Sequence, residues 1–292
     1  MKELVILSGK GGTGKTSLTA AFAAVSENSI LIDADVDAAD LHLLMSPEIK
    51  LQTDFKGGGI AIIDKDKCSE CGQCIELCRF NAISDDFIVD KIDCEGCGVC
   101  VDFCPEQAID FPTQTCGQWY ISDTRFGPMV HAKLGIAQEN SGKLVALVRQ
   151  EAKKIAQEKN IDLLLTDGPP GVGCPVIASI GGATALLIVT EPTVSGIHDM
   201  TRALELAQFF KVPAMVLVNK YDLNPDQADT IEKFVKERGL TFLGRIPFDP
   251  TFTKSMIQGK TIFEYDEKSD ISQQIKKMWG KIMASSEMNP EA

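Results

Sequence analysis

Eight of the ten cysteines fall into one pattern that dictates the fold of the chain around it. Cys68-x2-Cys71-x2-Cys74-x3-Cys78 is followed by Cys94-x2-Cys97-x2-Cys100-x3-Cys104, the same run displaced by 26 residues. The flanks repeat with it: Gly72 and Gly98, Ala82 and Ala108, Ile83 and Ile109. Thiolates at this spacing wrap a cubic [4Fe–4S] cluster, and in paired runs the last Cys of each run serves the other cluster. The expected sets are Cys68, Cys71, Cys74 and Cys104 for one cluster, and Cys78, Cys94, Cys97 and Cys100 for the other. Zinc also uses C-x2-C pairs and is the alternative, but two zinc sites do not call for the third and fourth Cys of each run. Disulfides call for a secreted chain. Cys104 precedes Pro105, as the bacterial run expects, whereas Cys78 precedes Arg79, which leaves the turn after Cys78 open. A cation there would favour the reduced, more negative cluster.

The chain opens on a different chemistry. Residues 2–7 form a short apolar run suited to a buried parallel strand. It leads into Gly9-Lys10-Gly11-Gly12-Thr13-Gly14-Lys15-Thr16, which satisfies G-x-x-x-x-G-K-[ST], with a helix expected over 16–26. Such a loop curls backbone N–H groups around phosphates, extends Lys15 to the β/γ-phosphates and offers the Thr16 hydroxyl to Mg²⁺. A second buried strand over 29–33 ends in Asp33-Ala34-Asp35-Val36-Asp37, where carboxylates face the phosphate site. Asp37 and Asp40 read as solvated acids at a helix start, while Asp33 and Asp35 are placed for chemistry. Another apolar run, 161–166, ends in Asp167-Gly168-Pro169-Pro170-Gly171, a carboxylate followed by a loop able to move with the γ-phosphate.

Further strands read at 185–189, 214–218 and 240–246, and helices at 143–159, 197–210 and 226–238. This alternation predicts an α/β fold: a mostly parallel sheet with helices on both faces, carrying a small ferredoxin-like insert. The expected domains are residues 1–58 with 112–292, interrupted by 59–111. Gly57-Gly58-Gly59 reads as a flexible joint at the start of the insert.

Charge narrows the partners. A net charge of −12 argues against a nucleic-acid backbone. The uncharged run 168–190 is too rich in Pro and Gly for a membrane helix. Strand character already at residues 3–7 argues against a targeting segment. Cluster cysteines point to a reducing cytoplasm. Near the C-terminus, Ile271, Ile275, Met278, Trp279, Ile282 and Met283 share one helical stripe, read as packing on the core rather than on a membrane.

With these motifs in hand, the chain resembles the MinD/ParA/nitrogenase-iron-protein superfamily of P-loop ATPases, with an inserted two-cluster ferredoxin domain. The resemblance spans essentially the whole chain. It rests on Lys10, the mark of a deviant Walker A loop, and on Ile32-Asp33-Ala34-Asp35, Thr166-Asp167-Gly168-Pro169-Pro170-Gly171, Val218-Asn219-Lys220 and Ile246-Pro247. The resemblance implies ATP contacts from Gly11, Gly12, Thr13, Gly14, Lys15, Thr16, Ser17, Asn219 and Pro247, and Mg²⁺ near Thr16, Asp35 and Asp167. It implies catalysis by Lys10, Lys15 and Asp35, with Lys10 acting on nucleotide bound to the other subunit of a dimer and Asp35 orienting the attacking water. Asn219-Lys220-Tyr221-Asp222 also fits N-K-x-D, a guanine-reading pattern, so GTP is the alternative nucleotide. Cys174 lies where the nitrogenase iron protein carries a ligand to a cluster shared between subunits. It is a candidate intersubunit ligand, with Cys116 as a possible second; a small structural thiol is the plainer reading. His42, His131 and His198 are assigned no role.

The resulting expectation is a homodimeric or heterodimeric iron–sulfur ATPase with two [4Fe–4S] clusters, ATP and Mg²⁺. It would couple nucleotide state to electron transfer, or to iron–sulfur or metal-cofactor assembly or delivery, with a protein redox or cofactor-accepting partner. The alternative is a nucleotide-switched positioning protein whose clusters are structural.

Overall fold

The computed structural model describes residues 1–135 and 140–290. In chain order the elements are β1 (Lys2–Ser8), α1 (Lys15–Val25), β2 (Ser29–Asp33), α2 (Leu41–Met45), β3 (Glu48–Gly59), β4 (Ile62–Ile63), α3 (Gln73–Leu77), α4 (Val99–Asp102), β5 (Ile109–Asp110), β6 (Thr113–Thr124), β7 (Gly127–Leu134) and α5 (Ser141–Glu158). There follow β8 (Leu163–Pro170), α6 (Cys174–Ile180), β9 (Ala185–Thr190), α7 (Val194–Phe209), β10 (Ala214–Asn219), a 3-10 turn (Tyr221–Leu223), α8 (Pro225–Glu237), β11 (Thr241–Ile246), α9 (Pro250–Ile257), α10 (Ile262–Asp266) and α11 (Asp270–Ala284). The chain divides into a larger unit, residues 1–52, 119–133 and 141–292, and a smaller one, residues 53–118 and 134–140.

In the larger unit β1, β9 and β10 are buried along nearly their whole length. Continuous apolar strands of this kind need cover on both faces, and they pair in parallel: β1 with β8 and β9, β9 with β10, β10 with β11, and β2 with β8 and β7. Side chains alternate across the sheet. Leu4 and Ile6 face a core shared with Leu18, Phe22, Ile275 and Ile282, while Val5 and Leu7 face one shared with Val176, Met200 and Ile231. The C-terminal stripe packs inward as expected, with the Trp279 ring stacked on Phe22 at a centroid distance of 5.3 Å. Replacing Trp279 by Ala would cost about 3–5 kcal/mol, the usual penalty for emptying such a site.

The expected strands and helices of this unit appear within a few residues of their sequence-read bounds. The sheet is nonetheless wider, in the order β11-β10-β9-β1-β8-β2-β7-β6-β3. The strands β7, β6 and β3 were not expected. Only two residues join β6 to β7, so those neighbours run antiparallel. Gly57-Gly58-Gly59 is a second correction: these residues end the strand β3 rather than forming a free joint. The Phe55 ring lies 2.8 Å from where a Gly57 Cβ would stand, and the Phe111 ring 2.7 Å from that of Gly59, so close packing demands glycine at both places.

The smaller unit repeats itself at the backbone level with the same 26-residue step as its cysteines. Gly72 and Gly98 start α3 and α4 with φ of 78° and 74°. The Asp64 N–H donates to the Ala108 carbonyl at 2.7 Å, and 26 residues on the Asp90 N–H donates to the Ala82 carbonyl at 2.7 Å. Each half therefore closes on the other. The turn after Cys78 forms like the one after Cys104: Asn81 N–H reaches the Cys78 carbonyl at 3.4 Å, and Gln107 N–H the Cys104 carbonyl at 3.2 Å. Arg79 thus does the same backbone work as Pro105. The strands β4 and β5 pair antiparallel through Ile62–Asp110 and Ile63–Ile109.

Candidate functional site

In the larger unit the carboxyl ends of β1, β2 and β8 meet at one place, with Asp33 in register with Asp167. The loop between β1 and α1 crosses above them. Gly14 caps α1 at φ 87°, a left-handed turn that a side chain would strain. A Cβ there would also stand 2.5 Å from the Asn219 amide nitrogen.

Lys15 is nearly fully buried, and its ammonium donates to Asp167 Oδ1 at 2.9 Å with Asp35 Oδ2 at 3.8 Å. Burial alone would lower its pKa, but the charges of Asp167 and Asp35 raise it. Asp167 also accepts from the Thr16 hydroxyl at 2.7 Å and from Thr19 at 2.9 Å. A Thr16 hydroxyl donating to Asp167 keeps its lone pairs free for a cation. Asp33 is fully buried and accepts from the N–H groups of Asp35 and Leu41, both at 3.2 Å, which fixes the loop that carries Asp35. Burial and the Asp167 charge push Asp33 well above the usual carboxylate range, against the pull of Lys15. Burial, opposed by Lys15, pushes Asp35 up to about 6. Asp37 and Asp40 are exposed, as expected of solvated acids.

A cavity of about 520 Å³ opens over these groups. Its floor is the loop, Gly11 to Ser17, and Asp35, Asn219 and Pro247 also line it. The Thr13 hydroxyl is buried and has no hydrogen-bond partner among the described residues. Asn219 donates to the Thr13 carbonyl at 2.8 Å and accepts from the Lys220 N–H at 3.0 Å, so it braces the loop it was expected to adjoin. Asp222 accepts from the Phe248 N–H at 2.6 Å, fastening the loop after β11; it does not line the cavity as a guanine-reading carboxylate would. Lys10 pairs with Glu191 at 3.2 Å and is not among the residues lining the cavity. Glu191 also holds Lys220 at 2.6 Å, and Lys220 donates to the Gly12 carbonyl. Sequence reading missed Glu191; a lone Glu after a strand carries no motif.

In the smaller unit, Cys68, Cys71, Cys74 and Cys104 line one cavity with Ile63, Phe87, Ala108 and Ile109. Backbone N–H groups approach two of these sulfurs, Glu70 to Cys68 and Ala108 to Cys104, each at 3.4 Å. Burial pushes the Cys100 thiol up to about 11, with added repulsion from Cys94, Cys97, Cys74 and Cys78. Among the described residues no three Cys, His, Asp or Glu side chains converge as on a single metal ion. Cys116 is buried, its thiol donating to the Gly57 carbonyl. In the larger unit Cys174 is exposed at the start of α6. Among the described residues no helix is long and apolar enough to cross a membrane.

Comparison with known proteins agrees with this geometry. An uncharacterised protein of Methanocaldococcus jannaschii is 32% identical over 283 residues, 96% of each chain. An iron-sulfur cluster carrier protein of the same organism is 23% identical over 306 residues, 99% of this chain and 86% of the other. The solved MinD cell division protein of Aquifex aeolicus superposes with a TM-score of 0.59 at 20% identity, covering 98% of both chains. The family model of the CobQ/CobB/MinD/ParA nucleotide binding domain matches residues 4–262. With its loop, carboxylates and parallel sheet arranged as described, the chain belongs to the CobQ/CobB/MinD/ParA nucleotide-binding domain family.

Proposed function

We propose that this protein is a dimeric, ATP-hydrolysing iron–sulfur protein in which nucleotide state governs electron transfer, or the assembly or delivery of an iron–sulfur or metal cofactor. The observation that carries the iron–sulfur half is the composition of one cavity: Cys104 of the second run shares it with Cys68, Cys71 and Cys74 of the first. Four thiols lining one apolar cavity fit a cube of metal and sulfide. Cys68, Cys71, Cys74 and Cys104 would hold one [4Fe–4S] cluster, and Cys78, Cys94, Cys97 and Cys100 the other, within an insert of residues 59–111. Such clusters supply one-electron chemistry or are themselves cargo.

In the nucleotide half, Gly11 to Ser17 would cradle the phosphates, with Thr16, Asp35 and Asp167 around Mg²⁺. Lys15 would exchange its Asp167 contact for the β/γ-phosphates, Asp35 would orient the attacking water, and Lys10 would leave Glu191 to reach nucleotide across a dimer. ATP is preferred to GTP because Asp222 is engaged by Phe248. Exposed Cys174 carries the proposal of an intersubunit ligand; buried Cys116 contributes little to it. The name of the cluster-carrying relative supports the same reading.

The test is anaerobic purification, then iron, sulfide and zinc analysis, with cluster potential and cluster transfer measured with and without Mg-ATP. About eight iron and eight sulfide per chain are expected, together with a nucleotide-dependent potential or lability. Two zinc per chain without iron would sink the cluster half. Clusters indifferent to ATP would favour the positioning role.

A further inference from the structure

The β6–β7 hairpin turns at Arg125 and Phe126, and the Arg125 side chain makes an unusual set of contacts for a surface residue. One Nη donates to the Met45 carbonyl at 2.7 Å. The other donates to the Leu44 carbonyl at 2.6 Å, to the Gly259 carbonyl at 3.2 Å and to Glu264 Oε2 at 2.8 Å. Its Nε donates to Glu264 Oε1, and the guanidinium lies 4.8 Å from the Phe126 ring centre. Leu44 and Met45 end α2, so their carbonyls have no partner within that helix. Gly259 follows the C-cap of α9. One guanidinium therefore ties the C-terminal ends of two short helices and is itself aimed by a carboxylate.

Both helices contribute to the lining of the cavity. Leu43 and Leu44 come from α2, and Phe252, Thr253 and Met256 from α9. Phosphates belong over the loop of Gly11 to Ser17; the mostly apolar α2 and α9 walls suit the base and sugar. A helix as short as α2 has little stability of its own, so the position of its wall depends on what holds its ends. Asp33 holds the start of α2 at the Leu41 N–H, and Arg125 holds its end.

We propose that Arg125 is a positioning residue of the nucleotide site, stapling the α2 and α9 walls at a fixed separation and so supporting recognition of the nucleoside part of the ligand. The inference rests on the nucleotide-binding reading. It asks for a fork-shaped cation, since a lysine cannot reach both helix ends and Glu264 at once.

The test is calorimetric titration of the full protein with Mg-ATP and, separately, with magnesium tripolyphosphate. In Arg125→Ala, Mg-ATP affinity should fall about tenfold or more, while tripolyphosphate affinity stays within about twofold. Arg125→Lys should recover little of the loss. Glu264→Gln keeps the capping box that starts α10, and so the fold, and should weaken Mg-ATP alone by roughly two- to fourfold. Unchanged Mg-ATP binding in both the Arg125→Ala and Glu264→Gln proteins would overturn the staple. So would equal weakening of both ligands, which marks general loss of structure. A wild-type protein that binds neither ligand would instead overturn the nucleotide reading on which the staple rests.

Discussion

The two units stabilise themselves by different means. The larger has two apolar layers and keeps its buried charges satisfied by one another: Lys15 with Asp167, and Arg149 with Glu3 at 2.7 Å. The smaller buries little beyond Phe55, Ala61, Ala82, Ile83, Ala108, Ile109 and Cys116, and its helices α3 and α4 bury nothing. A core that small does not by itself stabilise roughly seventy residues. On the proposed reading the contrast has a physical reason: cysteines that held clusters would supply the cross-links that so small a core does not.

The largest expected effect is that of removing the proposed clusters. Stripping iron under conditions that leave thiols reduced should unfold the smaller unit while the larger keeps its cooperative melt. Hydrogen exchange over residues 59–111 reports the first, and calorimetry the second. A smaller unit that stays protected without iron would break the comparison.

The next effect sharpens the other side. Lys15→Ala removes the ammonium shared by Asp167 and Asp35 and should weaken Mg-ATP binding on the order of a hundredfold. Lys10→Ala, which loses only its contact with Glu191, should spare binding and abolish hydrolysis. Equal loss of binding in both would argue against action across a dimer. Asp35→Ala should slow hydrolysis by roughly 10²-fold or more with binding intact.

A subtler test concerns the crossover within the smaller unit. Cys104→Ser should damage the cluster held by Cys68, Cys71 and Cys74 more than its neighbour, read as separate electron-paramagnetic signals. Damage confined to the second set would mean that each run serves itself.

The smallest effect is on pH. Asp35 titrates near 6 in the folded protein, above the ordinary carboxylate value. The folded state therefore binds more protons than the unfolded one between about pH 4 and 6, and stability falls as pH rises through that window. In ligand-free protein, Asp35→Asn should flatten the fall. An unchanged slope would assign it to Asp33, which burial and the Asp167 charge also raise.

Much of the larger unit was legible because its strands are unbroken apolar runs and its site residues sit in a motif. The strand β3 escaped notice because Ile49 and Leu51 alternate with polar residues in a segment exposed on both sides, and because its three terminal glycines read as a joint. A period-two pattern over residues 48–55 was the available signal. The cysteine spacing was legible as a repeat, and the reciprocal Asp64–Ala108 and Asp90–Ala82 bonds follow from that same repeat. Glu191 and Arg125 were not legible. Their roles come from partners between 29 and 181 positions away, distances at which sequence carries no local pattern.

Those reciprocal bonds also impose an order on synthesis. The first cysteine loop, begun at Asp64, finds its acceptor only when Ala108 has been made, 44 residues later. At ~5–20 residues per second that is a wait of about 2–9 s. The strand β1 waits longer, since its partner β8 begins at Leu163. On a growing chain the thiol-bearing unit is thus able to close while the nucleotide-binding sheet still lacks its central strands, so the proposed cluster ligands would come together before the nucleotide site exists.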